Sequence, residues 1–118
     1  MPRGTFEEGP PSAGLSRAGV TEHRIDGDHI TTSAEAMDAI AEALSFPGYF
    51  GHNLDALYDC LTDLKWLSPG EHLLVWSQPA SLLSRDPAAY EAIRNTLHDA
   101  VADDTPEKAF LSVLLVTG

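Results

Sequence analysis

The run AFLSVLLV, residues 109–116, is apolar at every position but Ser112. A strand wetted on one face alternates apolar with polar residues. One that does not alternate is covered on both faces, as in the interior of a parallel sheet. The run LLVWSQ, residues 73–78, has the same character, and a long helix-patterned segment separates the two. Parallel strands so joined need a crossover, and crossovers are right-handed. A third segment, VTEHRID (20–26), alternates weakly and ends at the turn dipeptide Asp26-Gly27. The order along the chain is strand, two helices, strand, one or two helices, strand. This pattern predicts a small parallel sheet in a single α/β domain, and 118 residues suffice for one modest core. Residues 1–19 are rich in Gly, Pro, Ser and charge and show no apolar period. They read as a disordered N-terminal extension, which leaves 20–118 as the folded domain.

Local signals place the helices. Thr32 and Glu35 have capping-box spacing, and Ala36, Met37, Ile40 and Leu44 follow as an apolar stripe. Pro47 ends that helix, so FPGYFG (46–51) is a loop. A second helix opens near Gly51–Asn53, with Asn53 suited to cap it and Leu54, Leu57, Tyr58 and Leu61 as its core stripe. Asp86 before Pro87 signals a third long helix, with Tyr90, Ile93, Leu97 and Val101 inward. Trp76, inside a strand, is assigned to the core. Cys60, beside core position Leu61, is expected to be packed rather than reactive, because no cationic neighbour favours its thiolate.

The second helix carries a conflict. Asp55, Asp59 and Asp63 stand four residues apart with no Lys or Arg among them. Like charges at that spacing cost about 0.2–0.5 kcal/mol per pair. The whole chain has net charge −11, from 18 acidic and 7 basic residues, and no basic residue lies between Ile25 and Leu64. Phosphate neutralisation needs clustered cations, so nucleic acid is not expected as a partner, whereas a basic protein is. No apolar run is long enough to span a membrane, and the single cysteine excludes an internal disulfide. The expected setting is the reducing cytoplasm.

Three readings of the acidic helix compete. His52, Asp55 and Asp59 fall at i, i+3 and i+7 and could share a face as metal ligands. One helix turn makes a shallow site, however, and no second element supplies donors or a cleft. No catalytic residue, metal or cofactor is therefore expected. The aspartates could instead be a plain solvated face, the better account of Asp63 alone. For Asp55 and Asp59 the preceding loop favours a protein-binding patch. Tyr49 and Phe50, flanked by Gly48 and Gly51, put aromatic anchors beside unpaired carboxylates. Phe50 is expected to be the more buried of the two aromatics. Trp66, after the helix, could sit at the rim of such a patch.

FPGYFGHNLDALYDCLTDL (46–64) resembles the central segment of the barstar family, intracellular inhibitors of secreted barnase-like ribonucleases. The likeness rests on the Pro-x-aromatic-aromatic-Gly loop, the Asn-Leu-Asp-Ala-Leu helix start and the Asp-Cys-Leu-Thr that follows. It runs from about Ile25 to Thr62 and resumes at LLVWSQ and the last strand. The resemblance implies a three-stranded parallel β-sheet packed with about four α-helices. It also implies one-to-one occlusion of the active site of an extracellular-type, guanyl-specific microbial ribonuclease. Tyr49, Asp55 and Asp59 inherit the central contacts, with Gly51, Asn53 and Tyr58 alongside, and Phe50, His52 and Asp63 are counted with them as candidate nuclease contacts. Trp66, or Leu64 in its place, stands for the last aromatic contact, and Asp99 for a late acidic one. Tyr58 replaces a tryptophan and His52 a glutamate of the family pattern, which bears on affinity and partner choice.

Overall fold

The computed structural model describes residues 4–9, 20–48, 51, 53–102 and 109–116. The described chain forms β1 (Phe6–Gly9), β2 (Val20–Asp26), one 3₁₀ turn (Gly27–His29), α1 (Ser33–Ala43), α2 (Leu54–Asp63), β3 (Gly70–Ser77), α3 (Ala80–Arg85), α4 (Pro87–Ala102) and β4 (Ala109–Val116). The strands make one sheet in the order β1-β4-β3-β2, and every pair is parallel. β3 and β4 register Gly70 against Ala109 through Ser77 against Val116 and are the two interior strands, as their unbroken apolar runs require.

Strand alternation divides the sheet into two faces. Ile25, Leu74, Trp76, Leu111, Val113 and Leu115 join the main core with α1, α2, α3 and α4, and Trp76 is fully buried there. Leu73, Val75 and Leu114 form a small second cluster on the other face, with Val20 and Val116 against it. The helices whose residues are described therefore cover one side. The Asp26 carboxylate accepts from the Asp28 N–H to close the turn after β2. A Cβ at Gly27 would collide with the Ser77 carbonyl and the Trp76 indole, so only glycine lets that turn close against β3.

The helix-start signals at Thr32 and Asp86 hold. The Glu35 N–H donates to Thr32 Oγ1 at 3.1 Å, and the Glu35 carboxylate accepts from the Thr31 N–H at 3.1 Å. The Asp86 carboxylate accepts from the Ala89 N–H at 3.1 Å. The stripe of α4 is buried as expected, with Ala100 added to Tyr90, Ile93, Leu97 and Val101.

The sheet corrects the expected strand count from three to four. Phe6–Gly9, inside the segment read as a disordered extension, pairs with Val113–Val116 along the outer edge of β4. Side chains far away in sequence hold it. Arg94 of α4 donates two hydrogen bonds to the Glu8 carboxylate, at 3.1 and 2.7 Å, and its guanidinium lies 5.2 Å from the centre of the Phe6 ring. The Phe6 ring also meets His98 edge-on at 5.2 Å. The Val113 N–H donates to the Thr5 carbonyl at 2.8 Å, and Gly4 approaches so closely that a Cβ would strike the Leu111 carbonyl.

Arg94, chiefly through its hydrogen bonds, holds the Glu8 carboxyl below the usual carboxylate range. A depressed carboxyl pKa contributes stability above its unfolded value, and that contribution is lost as pH falls through the folded value. Replacing Arg94 by Ala should cost about 1 kcal/mol or less, given the pair's exposure. It should also flatten the acid limb of a urea-unfolding profile measured between neutral pH and pH 3. An unchanged acid limb would show that β1 is held without the pair.

Candidate functional site

α2 is set by its two ends. The Asn53 side chain accepts from the Ala56 N–H at 2.8 Å, and its amide donates to the Gly51 carbonyl at 3.3 Å, so one residue caps the helix and braces the loop before it. At the other end Leu64 adopts a left-handed conformation, φ 49°, while its side chain is buried. A non-glycine residue resists that geometry, and burial of the leucyl side chain offsets the cost. The turn lets the Leu64 N–H donate to the Cys60 carbonyl.

Between these caps the buried positions are Leu57, Cys60, Leu61 and Leu64. This corrects the expected stripe at two positions: Cys60 and Leu64 are buried where Leu54 and Tyr58 were expected, and Tyr58 is only half-buried. Leu54 is 38% exposed and lies outside the core. At about 100° per residue, Asp55, Asp59 and Thr62 occupy the side opposite the buried stripe. Tyr58 flanks them on one edge and Asp63 on the other. Leu54 is the residue that sequence reasoning missed as a candidate contact. The signal was available, since Leu57, Cys60, Leu61 and Leu64 already complete an i, i+3, i+4, i+7 stripe without it.

The charges differ in cost. Asp55, in the first turn, is favoured by the helix dipole by about 0.3–1 kcal/mol. Asp59 has no such return, and among the described residues no basic group pairs with Asp55 or Asp59. Asp63, in the last turn, lies 4.0 Å from the Lys65 ammonium, a half-exposed pair that contributes little. The carboxylates of Asp63 and Asp59 add to burial in pushing the Cys60 thiol above its ordinary value. The cysteine is thus packed and inert at neutral pH.

The other candidates separate. Tyr49, Phe50 and His52 lie outside the described residues, and so does the expectation that Phe50 is the more buried aromatic. Gly51 and Asn53 are exposed at the start of α2, and Tyr58 is half-buried against the core. Trp66 is half-buried, its indole N–H donating to the Leu44 carbonyl at 2.9 Å and its ring edge-on to Phe46. Trp66 thus ties the loop after α2 to the end of α1. Leu64 is buried. Asp99 is on the side of α4 opposite its buried stripe, with a 71% exposed side chain 3.7 Å from His98. Among the described residues no group of three or more His, Cys, Asp or Glu could hold a metal ion. No helix of the described residues is long and apolar enough to cross a membrane.

A helical layer on one face of a parallel sheet, with Asp55 and Asp59 on the exposed side of its second helix, defines a small α/β protein. Residues 20–115 match the family model described as Barstar (barnase inhibitor), and the chain belongs to that family. The family is one of inhibitors, not enzymes. A protein of Bacillus subtilis (strain 168) named "Putative ribonuclease inhibitor YrdF" is 47% identical to this chain over 38 residues, 32% of this chain and 42% of that protein. The matched stretch spans less than half the length of that relative.

Neutralising the mid-helix charge should stabilise the free protein. Asp59→Asn removes repulsion from both neighbours and should raise the unfolding free energy by about 0.2–0.5 kcal/mol per pair relieved. Asn53→Ala should lower it by about 1 kcal/mol through loss of the cap. Urea titrations of the two variants check both signs, and an Asp59→Asn protein less stable than wild type would mean that the carboxylate has a structural partner.

Proposed function

We propose that this chain inhibits a small, basic, extracellular-type ribonuclease of the guanyl-specific, barnase-like class, binding it one-to-one and protecting the cytoplasm of the cell that makes it. The observation that carries the reading is Asp59, an exposed mid-helix carboxylate opposite the buried stripe, between two like charges and without a basic partner among the described residues. A charge that costs the free protein stability is accounted for if its partner is on another molecule. Family membership and the name of the Bacillus relative support a ribonuclease as that molecule.

In this mechanism the exposed face of α2 enters the active-site cleft of the nuclease. Asp55 and Asp59 stand in for RNA phosphates against the Arg, Lys and His that would hold them, and no bond is made or broken. Leu54 and Tyr58 flank the carboxylates, and the loop bearing Tyr49 and Phe50 supplies the apolar anchors. Gly51, His52 and Asn53 line the approach, while Asp63, Trp66 and Asp99 stand at the margin. Net charge −11 steers a cationic enzyme toward this face over distances of a Debye length, about 8–10 Å at moderate salt. The tyrosine at 58 and the histidine at 52, where the family pattern has tryptophan and glutamate, favour a second reading in which the partner is a different basic toxin.

Calorimetric titration against a panel of guanyl-specific microbial ribonucleases, paired with an RNA-cleavage assay, tests the proposal. Stoichiometric binding with loss of cleavage is expected. Asp59→Ala should weaken it by at least about 2 kcal/mol, a magnitude borrowed from measured hot spots, this family's among them. Added salt should slow association more than it speeds dissociation. An Asp59→Ala protein that inhibits as tightly as wild type would sink the mechanism. Failure to bind any nuclease of the panel would favour the second reading.

A further inference from the structure

Two histidines from neighbouring strands meet beneath the end of α1, away from the acidic face. His23 of β2 and His72 of β3 are on the helical side of the sheet, and His72 is buried. Nδ1 of His23 lies 2.9 Å from the Ala43 carbonyl, the last residue of α1. Nε2 of His72 lies 2.7 Å from the Ser68 carbonyl, in the loop that leaves α2. Between the rings, Nε2 of His23 is 2.9 Å from Nδ1 of His72.

Carbonyl oxygens only accept, so each outer contact takes an N–H. That uses the single N–H that each neutral imidazole carries. The two remaining nitrogens would then face each other as bare lone pairs at hydrogen-bond distance. Three contacts require three N–H protons, and two neutral rings hold two. We propose that His23 and His72 share a third proton and act as a singly protonated pair that clamps the C-terminus of α1 to the loop leaving α2.

The surroundings accept one positive charge. α1 has no basic residue in its last turn, so the negative end of its dipole at Ala43 is answered by His23 from the neighbouring strand. On the elements packed against the pair, Asp38 and Glu42 are exposed on α1, and Asp63 pairs with Lys65 at the end of α2. Glu22 and Arg24 of β2 alternate to the far side of the sheet and pair with each other at 3.0 Å. Glu71 of β3 is also on the far side, where it accepts from the Ser112 hydroxyl. A second charge is resisted. Burial lowers the pKa of His23 most, the Ala43 carbonyl raises it, and the His72 ring lowers it again.

Stability then depends on pH through His23. Its lowered pKa contributes stability above the ordinary histidine value that is lost as pH falls through the folded value.

The test is a ¹⁵N-imidazole NMR titration of the full wild-type chain from pH 4.5 to 9. At pH 6.5 the two rings should hold three N–H protons between them, one of them shared by Nε2 of His23 and Nδ1 of His72. In His72→Gln the shared proton should be lost, and the acid limb of the urea-unfolding profile should shrink. Two rings that are both neutral at pH 6.5 would overturn the proposal. The wild-type spectra decide this even if the variant does not fold, and the result is independent of what α2 binds.

Discussion

Two parallel strands cannot be joined by a tight turn, and here β3 is parallel to neighbours on both sides. Each connection must leave the sheet and travel back along it before the next strand can pair. β2 reaches β3 through α1 and α2, and β3 reaches β4 through α3 and α4. Both crossovers step the same way across the sheet, so a common hand puts their helices on one face. That leaves α2 as part of a single outer layer, with one side pressed on the sheet and the other facing solvent. An exposed acidic face on this helix is a consequence of topology first and of composition second.

Within that layer α2 tolerates its charges because its termini are fixed independently of them. A capping asparagine contributes about 1 kcal/mol, and each like-charge pair costs only tenths. Burial of Leu57, Cys60, Leu61 and Leu64 adds far more. The left-handed Leu64 shows the same ranking at the C-terminus, where a backbone conformation that glycine would adopt more easily is held by a leucine with its side chain in the core. Packing outranks propensity, and propensity outranks surface charge. The charges on the exposed face can therefore change while the helix stays in place.

The parts of this fold that were legible in the sequence are those fixed by local chemistry. Thr32, Asn53 and Asp86 announced three helix starts through their side chains, and unbroken apolar runs announced the interior strands. β1 was not legible. Four residues are too few for a period to show, and what holds Phe6 and Glu8 is Arg94, most of the chain away. Leu54 was misplaced because an apolar residue at a helix start fits either the stripe or the exposed edge, and only tertiary packing decides. The hydrogen bond from Trp66 to the Leu44 carbonyl was not legible, because a backbone group has no signature in sequence. Of the acidic site, the carboxylates themselves were legible, because their spacing breaks a rule that stability alone would keep.

The last carbonyls of α1 connect these observations. Ala43 O accepts from His23, and Leu44 O accepts from the Trp66 indole, so side chains from β2 and from the loop after α2 satisfy groups that a helix end normally leaves to water. His72 extends the same network to Ser68. The segments that leave α1 and leave α2 are thereby tied together on the core side, while the exposed face of α2 contributes nothing to the tie. Under the proposed function, a face whose frame is held from behind has less ordering to do on association, and less of the gross interaction energy is lost. The arrangement also explains how a helix whose Asp55 and Asp59 have no basic partner among the described residues can stay rigid. The bonds that position it are made by its neighbours and its ends, and among the described residues none of them uses the Asp55 or Asp59 carboxylate.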